Sequence, residues 1–298
     1  MSIKRVGEFG LIDRLKRTIK TDASVVKGIG DDCAVIDYNA REYLLLTADM
    51  IVEKVDFTLK DKPYWIGHKA LAVSLSDIAA CGGLPRYALV SLGIPVRTRV
   101  QFVDEIYRGM RVLAKRFGVN IVGGDISRSP VVTIDVSLAG FVEKKMLVLR
   151  QAAAEGDHIL VSGKLGGSLK SGRHLKFIPK LKEARFLVEN FKVTAMIDIS
   201  DGLLQDLSHI LKASNAGAVI YERLLPLHKD AGSVQSAVSS GEDFELLFTM
   251  PAREARRLTA CSGDFRVVGE ITRQENGFLL VDRRGVGRKA AASGYRHF

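Results

Sequence analysis

Hydrophobic positions along the chain recur with two spacings, and together they predict an alternating set of strands and helices. Runs that are continuously apolar or alternate with period two predict β-strands at 43–47, 87–94, 120–122, 131–142, 158–161, 195–199, 244–250 and 277–282. Pro63 opens a stretch in which Ile66, Ala70, Val73 and Ile78 recur at helical spacing, and Gly82-Gly83 stops it after Cys81. Val103, Ile106, Met110, Leu113 and Phe117 mark a second helix that ends at Gly118. A third begins at Ser200 or Asp201, either of them a good N-cap, and runs through Leu204, Leu207 and Leu211. This order lacks strict βαβ alternation, so the expected class is mixed α/β (α+β).

At 298 residues the chain exceeds the usual single-domain size and predicts two domains. Polar and glycine residues at 147–157 (LVLRQAAAEGD) separate two strand-rich halves. The expected division is an N-terminal domain over 1–145 and a C-terminal domain over 146–298.

Hydrophobic content of 47% and charged content of 26% describe an ordinary globular protein. The formal net charge is +10, but the densest basic groups (14–20, 176–185 and 253–257) fall at helical spacing, as on solvated helix faces. The chain is therefore not expected to bind nucleic acid, although the same field would favour a phosphate-bearing small molecule. Three cysteines without CxxC pairing or disulfide spacing point to a reducing compartment. The first residues are too charged for a signal peptide and no apolar run approaches membrane-spanning length. A cytoplasmic protein without membrane partners is expected.

Against that basic background, several short segments place acids where apolar runs end. In GIGDD, Gly28 and Gly30 permit a tight turn that presents Asp31 and Asp32, either as ligands or as plain turn acceptors. LLLTADM carries Thr47 and Asp49 to one side of a strand. Asp77 lies among Leu75, Ile78, Ala79 and Ala80, where a charge is usually paired or metal-bound. Lys69 is too far along the helix to be its partner, which leaves a metal or a distant arginine. IVGGD puts Asp125 after two glycines, as a ligand or as part of a bulged turn. In MIDISDG, Asp198 and Ser200 share a face, and Asp201-Gly202 opens a helix whose amides suit phosphate oxygens. SSGEDFE adds Glu242 and Asp243. Gathered carboxylates repel one another unless cations lie between them, and Mg²⁺ takes oxygen ligands, one carboxylate from each of several segments sufficing.

Arg150, at the expected domain boundary, offers a guanidinium for a phosphate. SGKLGGS (162–168) lacks the ending of a P-loop, no GxGxxG precedes a helix, and neither HExxH nor a nucleophile triad is present.

The segments GEFGLI, GIGDDCAV, TADMIVEKVDF, KALAVSLSDIAACGGLP, IVGGDISRSP, IDISDGL, SGEDFELLFT and the terminal GYRHF resemble thiamine-monophosphate kinase, in order from Gly7 to Phe298. That family shares a superfamily with aminoimidazole ribonucleotide synthase and selenophosphate synthetase. The resemblance implies a homodimer whose N-terminal sheets form a barrel across the dimer, each with a C-terminal α/β domain. It further implies ATP as co-substrate, several Mg²⁺ ions near the dimer cleft, and ATP-dependent phosphorylation of thiamine monophosphate to thiamine diphosphate. Carried over by position, the metal set is Asp32, Thr47, Ala48, Asp49, Asp77, Asp125, Asp198 and Asp201. The ATP set is Phe117, Gly124, Asp125, Arg150 and Ser200. Asp56, Glu242 and Tyr295 fall on the thiamine phosphate side.

This chain departs from the family at several of these positions. Ala48 replaces the second threonine of TTD, leaving only a backbone carbonyl. Asp56 stands for a substrate-side histidine and Lys54 for a glycine. Ile126 and Ser127 follow GGD, and Phe117 stands for a tyrosine. The alternatives are a related enzyme with another acceptor or a non-catalytic binding protein. Cys33 follows GDD instead of lying in a glycine-rich N-terminal loop, and the chain ends in GYRHF, not cysteine, which argues against selenophosphate synthesis and hydrogenase maturation.

Overall fold

The computed structural model describes residues 2–295 and 297–298. Its first sheet holds β1 (Val25–Lys27), β2 (Ala34–Asp37), β3 (Glu42–Val52), β4 (Leu84–Ile94), β5 (Asn120–Arg128) and β6 (Thr133–Glu143), in the order β1-β2-β3-β6-β4-β5. Its neighbours run antiparallel except the parallel pair β4 and β5. The second sheet holds β7 (Asp157–Val161), β8 (Ala195–Asp198), β9 (Ala216–Tyr221), β10 (Leu246–Pro251), β11 (Arg266–Arg273), β12 (Phe278–Val281) and β13 (Gly287–Lys289), in the order β13-β12-β9-β11-β7-β10-β8. There β9 and β12 are the parallel pair. The mixed α/β class expected from the sequence is what forms. Between the sheets lies one short 3₁₀ turn at Lys144–Met146.

Helices α1 (Glu8–Thr18), α2 (Pro63–Ala80), α3 (Val100–Phe117), α4 (Leu181–Asn190), α5 (Leu203–Ser214) and α6 (Ala252–Cys261) complete the main framework. Apart from its first turn and Asp77, α2 is buried on every side, as a helix apolar all round must be. It lies on β3 and β6 and touches α3, α4 and β8, so it reaches both sheets. Two glycines let α3 close onto it: a Cβ on Gly67 would stand 1.9 Å from the Ile106 carbonyl oxygen, and one on Gly109 would stand 1.9 Å from that of Tyr64. One core joins both halves through residues such as Leu75, Val136, Phe248 and Met250. A second packs the other face of the second sheet against α5 through Ile197, Leu207 and Leu247.

From Leu45 onward in β3, and throughout β6, burial alternates. Leu45, Thr47, Asp49 and Ile51 face α2, while Leu46, Ala48 and Met50 face outward. The outward face of the first sheet is strongly apolar and uncovered, carrying Leu46, Met50, Tyr87 and Leu89.

Four expectations need correction. β3 continues to Val52 and β5 to Arg128, so Asp49 and Asp125 lie within strands and not at their ends. The helix expected at Ser200 or Asp201 starts at Leu203, because the Asp206 carboxylate turns back to accept the N–H groups of Asp201 (3.1 Å) and Gly202 (3.0 Å). The strand expected at 244–250 begins at Leu246, since Glu242 (φ 69°) and Phe244 (φ 50°) adopt left-handed backbone. Strands β1, β2, β9, β11 and β13, too short or too polar for a periodic signal, were not anticipated. No described helix is long and apolar enough to cross a membrane.

Candidate active site

Three carboxylates converge where the loop between β1 and β2, the end of α2 and the end of β8 meet. Asp32, Asp77 and Asp198 bring oxygens within 4.8 Å of one another. Each is held by a different device. Arg150 grips Asp32 through Nη2 (2.8 Å) and Nε (3.3 Å). Ser76, one residue before Asp77 on α2, donates to Asp198 Oδ2 at 2.6 Å. Thr47, on the inward face of β3, donates to Asp77. Asp49, two residues along the same face, completes the group; among the described residues its buried Oδ2 has no hydrogen-bond partner.

Such crowding must raise carboxyl pKa values, since burial disfavours each charge and the neighbouring charges add to it. Burial pushes Asp49 up to about 6, against hydrogen bonds from Ser74 and Asp77. Asp198 is pushed up to about 7 by burial and by Asp32, and Asp77 well above the usual carboxylate range by burial, Asp49 and Asp198. Arg150 itself is disfavoured as a cation by burial, but Asp32 and Asp31 more than restore its charge.

Two cavities flank the cluster. One, of about 540 Å³, is lined by Lys16, Lys27, Asp31, Arg150, His209 and Lys212 among others. The second, of about 280 Å³, is lined by Asp49, Asp56, Lys69, Glu242, Phe244 and Tyr295. Ser200 and Asp201 belong to the walls of both. The first cavity brings Lys16, Lys27, Arg150 and Lys212 together with Asp13, Asp31, Asp201 and Asp206, whereas the charged lining of the second is mainly carboxylate, so the two suit different partners.

The expected site residues thus divide. Asp32, Thr47, Asp49, Asp77, Asp198, Ser200, Asp201 and Arg150 come together, and Asp56, Glu242 and Tyr295 line the smaller cavity. Asp56 turns its carboxylate onto the Val52 N–H (2.7 Å), and the Tyr295 N–H donates to the Asp201 carbonyl at 3.0 Å. Asp125, Gly124 and Ala48 do not join the cluster of their own chain. Asp125 is registered opposite Ser91 on β4, and Ser91 opposite Asp135 on β6, all outside the face that carries Asp49. The register with β4 and β6 fixes this side. Gly124 is needed for packing: a Cβ there would lie 1.8 Å from the Val90 carbonyl oxygen. Phe117 ends α3 and lines a different groove with Leu84, Pro85, Leu181 and Arg185.

Residues 30–142 match the AIR synthase related protein N-terminal domain, and residues 147–282 match the corresponding C-terminal domain. A thiamine-monophosphate kinase of Aquifex aeolicus is 34% identical, the match covering 100% of both chains. The chain belongs to the thiamine-monophosphate kinase family. A second thiamine-monophosphate kinase, from Bacillus subtilis, is 31% identical over 98% of this chain and 99% of its own. The solved structure of AaThiL complexed with AMPPCP and TMP superposes with a TM-score of 0.89 at 32% identity, covering 100% of this chain and 99% of that one. The HypE-HypF complex, with a TM-score of 0.76 at 20% identity, shares the fold.

The site of this member of the thiamine-monophosphate kinase family also contains residues that the pattern of acids does not single out. Ser76 orients Asp198, and Lys69 is buried against Glu242. Both interrupt the apolar run of α2 as Asp77 does, and that interruption was the available signal. Lys16, Lys27 and Lys212 reach the larger cavity from three separate elements, and nothing local in the sequence links them. Asp243 is structural: it accepts from Gly166 N–H (2.7 Å) and pairs with Arg173.

Proposed function

We propose that this chain transfers the γ-phosphoryl group of ATP to the phosphate of thiamine monophosphate, releasing ADP and thiamine diphosphate. The observation that carries the reading is the buried acid cluster set between a cavity that offers Lys16, Lys27, Arg150 and Lys212 and one whose charged lining is mainly carboxylate, with Ser200 and Asp201 shared. A nucleotide's phosphates suit the first. The second, lined by Glu242, Asp56 and Tyr295, suits a cationic heteroaromatic group. An oxygen of the acceptor phosphate attacks the γ-phosphorus while the bond to the bridging β–γ oxygen breaks. That oxygen is already anionic, so no general base is required, and positioning with charge neutralisation carries the chemistry.

The donor set fits Mg²⁺. Its oxygens come from carboxylates and a hydroxyl, the carboxylates are crowded enough to raise their pKa values, and Asp49 Oδ2 is buried without a partner. Asp32, Asp49, Asp77 and Asp198 would hold the ions, with Thr47 and Asp201 beside them. Bound there, Mg²⁺ supplies charge neutralisation for the transferring phosphoryl group. Arg150, held by Asp32, stands ready for the triphosphate, and Ser200 lies where the two substrates' phosphates would meet.

The uncovered apolar face of the first sheet supports a homodimer whose first sheets pack into a barrel. In that dimer Asp125 and Ala48 face the partner. We assign residues 1–145 to this dimerising unit and 146–298 to the C-terminal unit. The test offers ATP and Mg²⁺ with a panel of acceptors, thiamine monophosphate and free thiamine side by side. Diphosphate formed from the monophosphate alone supports the reading, and no turnover of the monophosphate overturns it.

A further inference from the structure

Lys69 is 1% exposed and is among the largest fully buried side chains of the described residues. It sits two turns before Asp77 on α2, among Ile66, Ala70 and Val73. A lysine is rarely buried so completely unless its ammonium is matched. Here Nζ donates to the backbone carbonyl of Asp56 at 3.0 Å and pairs with the Glu242 carboxylate. Both acceptors belong to walls of the smaller cavity, and the two walls come from different sheets' loops: residues 53–57 after β3, and residues 240–245 before β10.

The Glu242 side needs such an anchor. Glu242 (φ 69°) and Phe244 (φ 50°) both occupy the left-handed region, where a side chain is disfavoured. Backbone bonds from Glu242 N–H to the Ser200 carbonyl (2.7 Å) and from Phe244 N–H to the Ile199 carbonyl (2.8 Å) hold that conformation. They fix the main chain but leave the Glu242 carboxylate to be directed by Lys69. Burial pushes the Glu242 carboxyl up, while Lys69 opposes that shift and favours the charged form.

We propose that Lys69 is a positioning residue for the acceptor substrate: its ammonium clamps the Asp56 turn to the Glu242 carboxylate and so presents Glu242 as an oriented anion in the acceptor cavity. The inference rests on the thiamine monophosphate reading and deepens it by naming what sets the geometry of that pocket. Lys69 itself reaches the wall of the acceptor cavity, where Asp56 and Glu242 take up its ammonium. The lining of the larger cavity does not include Lys69.

The test is kinetic. Lys69→Met keeps most of the buried stem and removes the charge. It is expected to raise KM for thiamine monophosphate about tenfold or more, because truncating one partner of a buried ion pair strands the other. KM for ATP should stay within about twofold and kcat within about threefold, since the nucleotide cavity and acid cluster are untouched. A merely structural lysine would lower the active fraction and move neither KM. Glu242→Gln should reproduce the rise in KM. The double variant should be no worse than the worse single one, as for two groups that act as a unit. It also removes the stranded charge, so it keeps the question answerable if Lys69→Met does not fold. A double variant with wild-type KM for thiamine monophosphate would overturn the proposal. So would Lys69→Met with that KM unchanged, or effects of the two changes that simply add. Wild-type protein that turns over ATP but not thiamine monophosphate would instead sink the functional reading, and this inference with it.

Discussion

Removing one carboxylate from the cluster should make the metal-free protein more stable. Asp198→Asn keeps the shape and the oxygen that accepts from Ser76 (2.6 Å) but deletes a charge that burial and Asp32 oppose. A carboxyl displaced from 3.8 to about 7 represents on the order of 4 kcal/mol at pH values above both limits. That value already includes the attraction of Arg150; because Asp32 and Asp49 share the repulsion and readjust in the variant, we expect roughly half to be recovered, about 2 kcal/mol, or about 4–8 °C in Tm. The folded value lies above the unfolded one, so the folded state binds more protons between them. Stability attributable to this group is present in full below the unfolded value near 3.8 and is lost as pH rises through about 7. The advantage of Asp198→Asn over wild type is therefore largest near pH 8 and falls to less than half by about pH 5. Calorimetry in EDTA, and again in excess Mg²⁺, tests this. Added Mg²⁺ should stabilise wild type, by about 2.7 kcal/mol at a concentration one hundred times Kd, and stabilise Asp198→Asn far less. An Asn variant that melts no higher than wild type in EDTA at pH 8, yet responds to Mg²⁺ equally, would refute a repulsive cluster relieved by cations.

Other expectations follow from the same geometry. Asp49→Asn should reduce ATP turnover with thiamine monophosphate by about two orders of magnitude, with an unchanged circular dichroism spectrum; wild-type turnover would remove Asp49 from the ion-binding set. Arg150→Lys replaces the two-point grip on Asp32 (2.8 and 3.3 Å) by a single ammonium and should raise KM for ATP about tenfold, read from initial rates; an unchanged KM would count against its place beside the triphosphate. Gly67→Ala must push α2 from α3, since its Cβ meets the Ile106 oxygen at 1.9 Å; a loss of about 3 kcal/mol in urea unfolding is expected, and an unmoved midpoint would mean the helices slide freely. Leu89→Asp, on the uncovered face of the first sheet, should give monomers by light scattering if that face forms the dimer; a mass unchanged from wild type would exclude this face.

What could be read beforehand depended on whether the decisive contact was local. Asp77 declared itself because a charge in an apolar helix has few options, and α2 is indeed buried around it. The same logic applies to Lys69 eight residues earlier. Spacing along the helix excludes Asp77 as its partner but cannot point to Glu242, which lies 173 residues away. The face of Asp125 was illegible for a different reason. Period-two alternation says which residues share a side of one strand, but not which side of the sheet that is. Two register shifts, between Ala88 and Leu89 on β4 against β5 and between Pro85 and Tyr87 on β4 against β6, decide it. Those shifts turn Asp125 away from Asp49, although both follow an apolar run and a small residue. A carboxylate so placed is useful to its own chain only as surface, whereas across a barrel it faces a second protomer. Loss of activity on Asp125→Asn that is restored by mixing with Asp49→Asn subunits would therefore argue for sites built from two chains. No restoration in confirmed mixed dimers would confine each site to one.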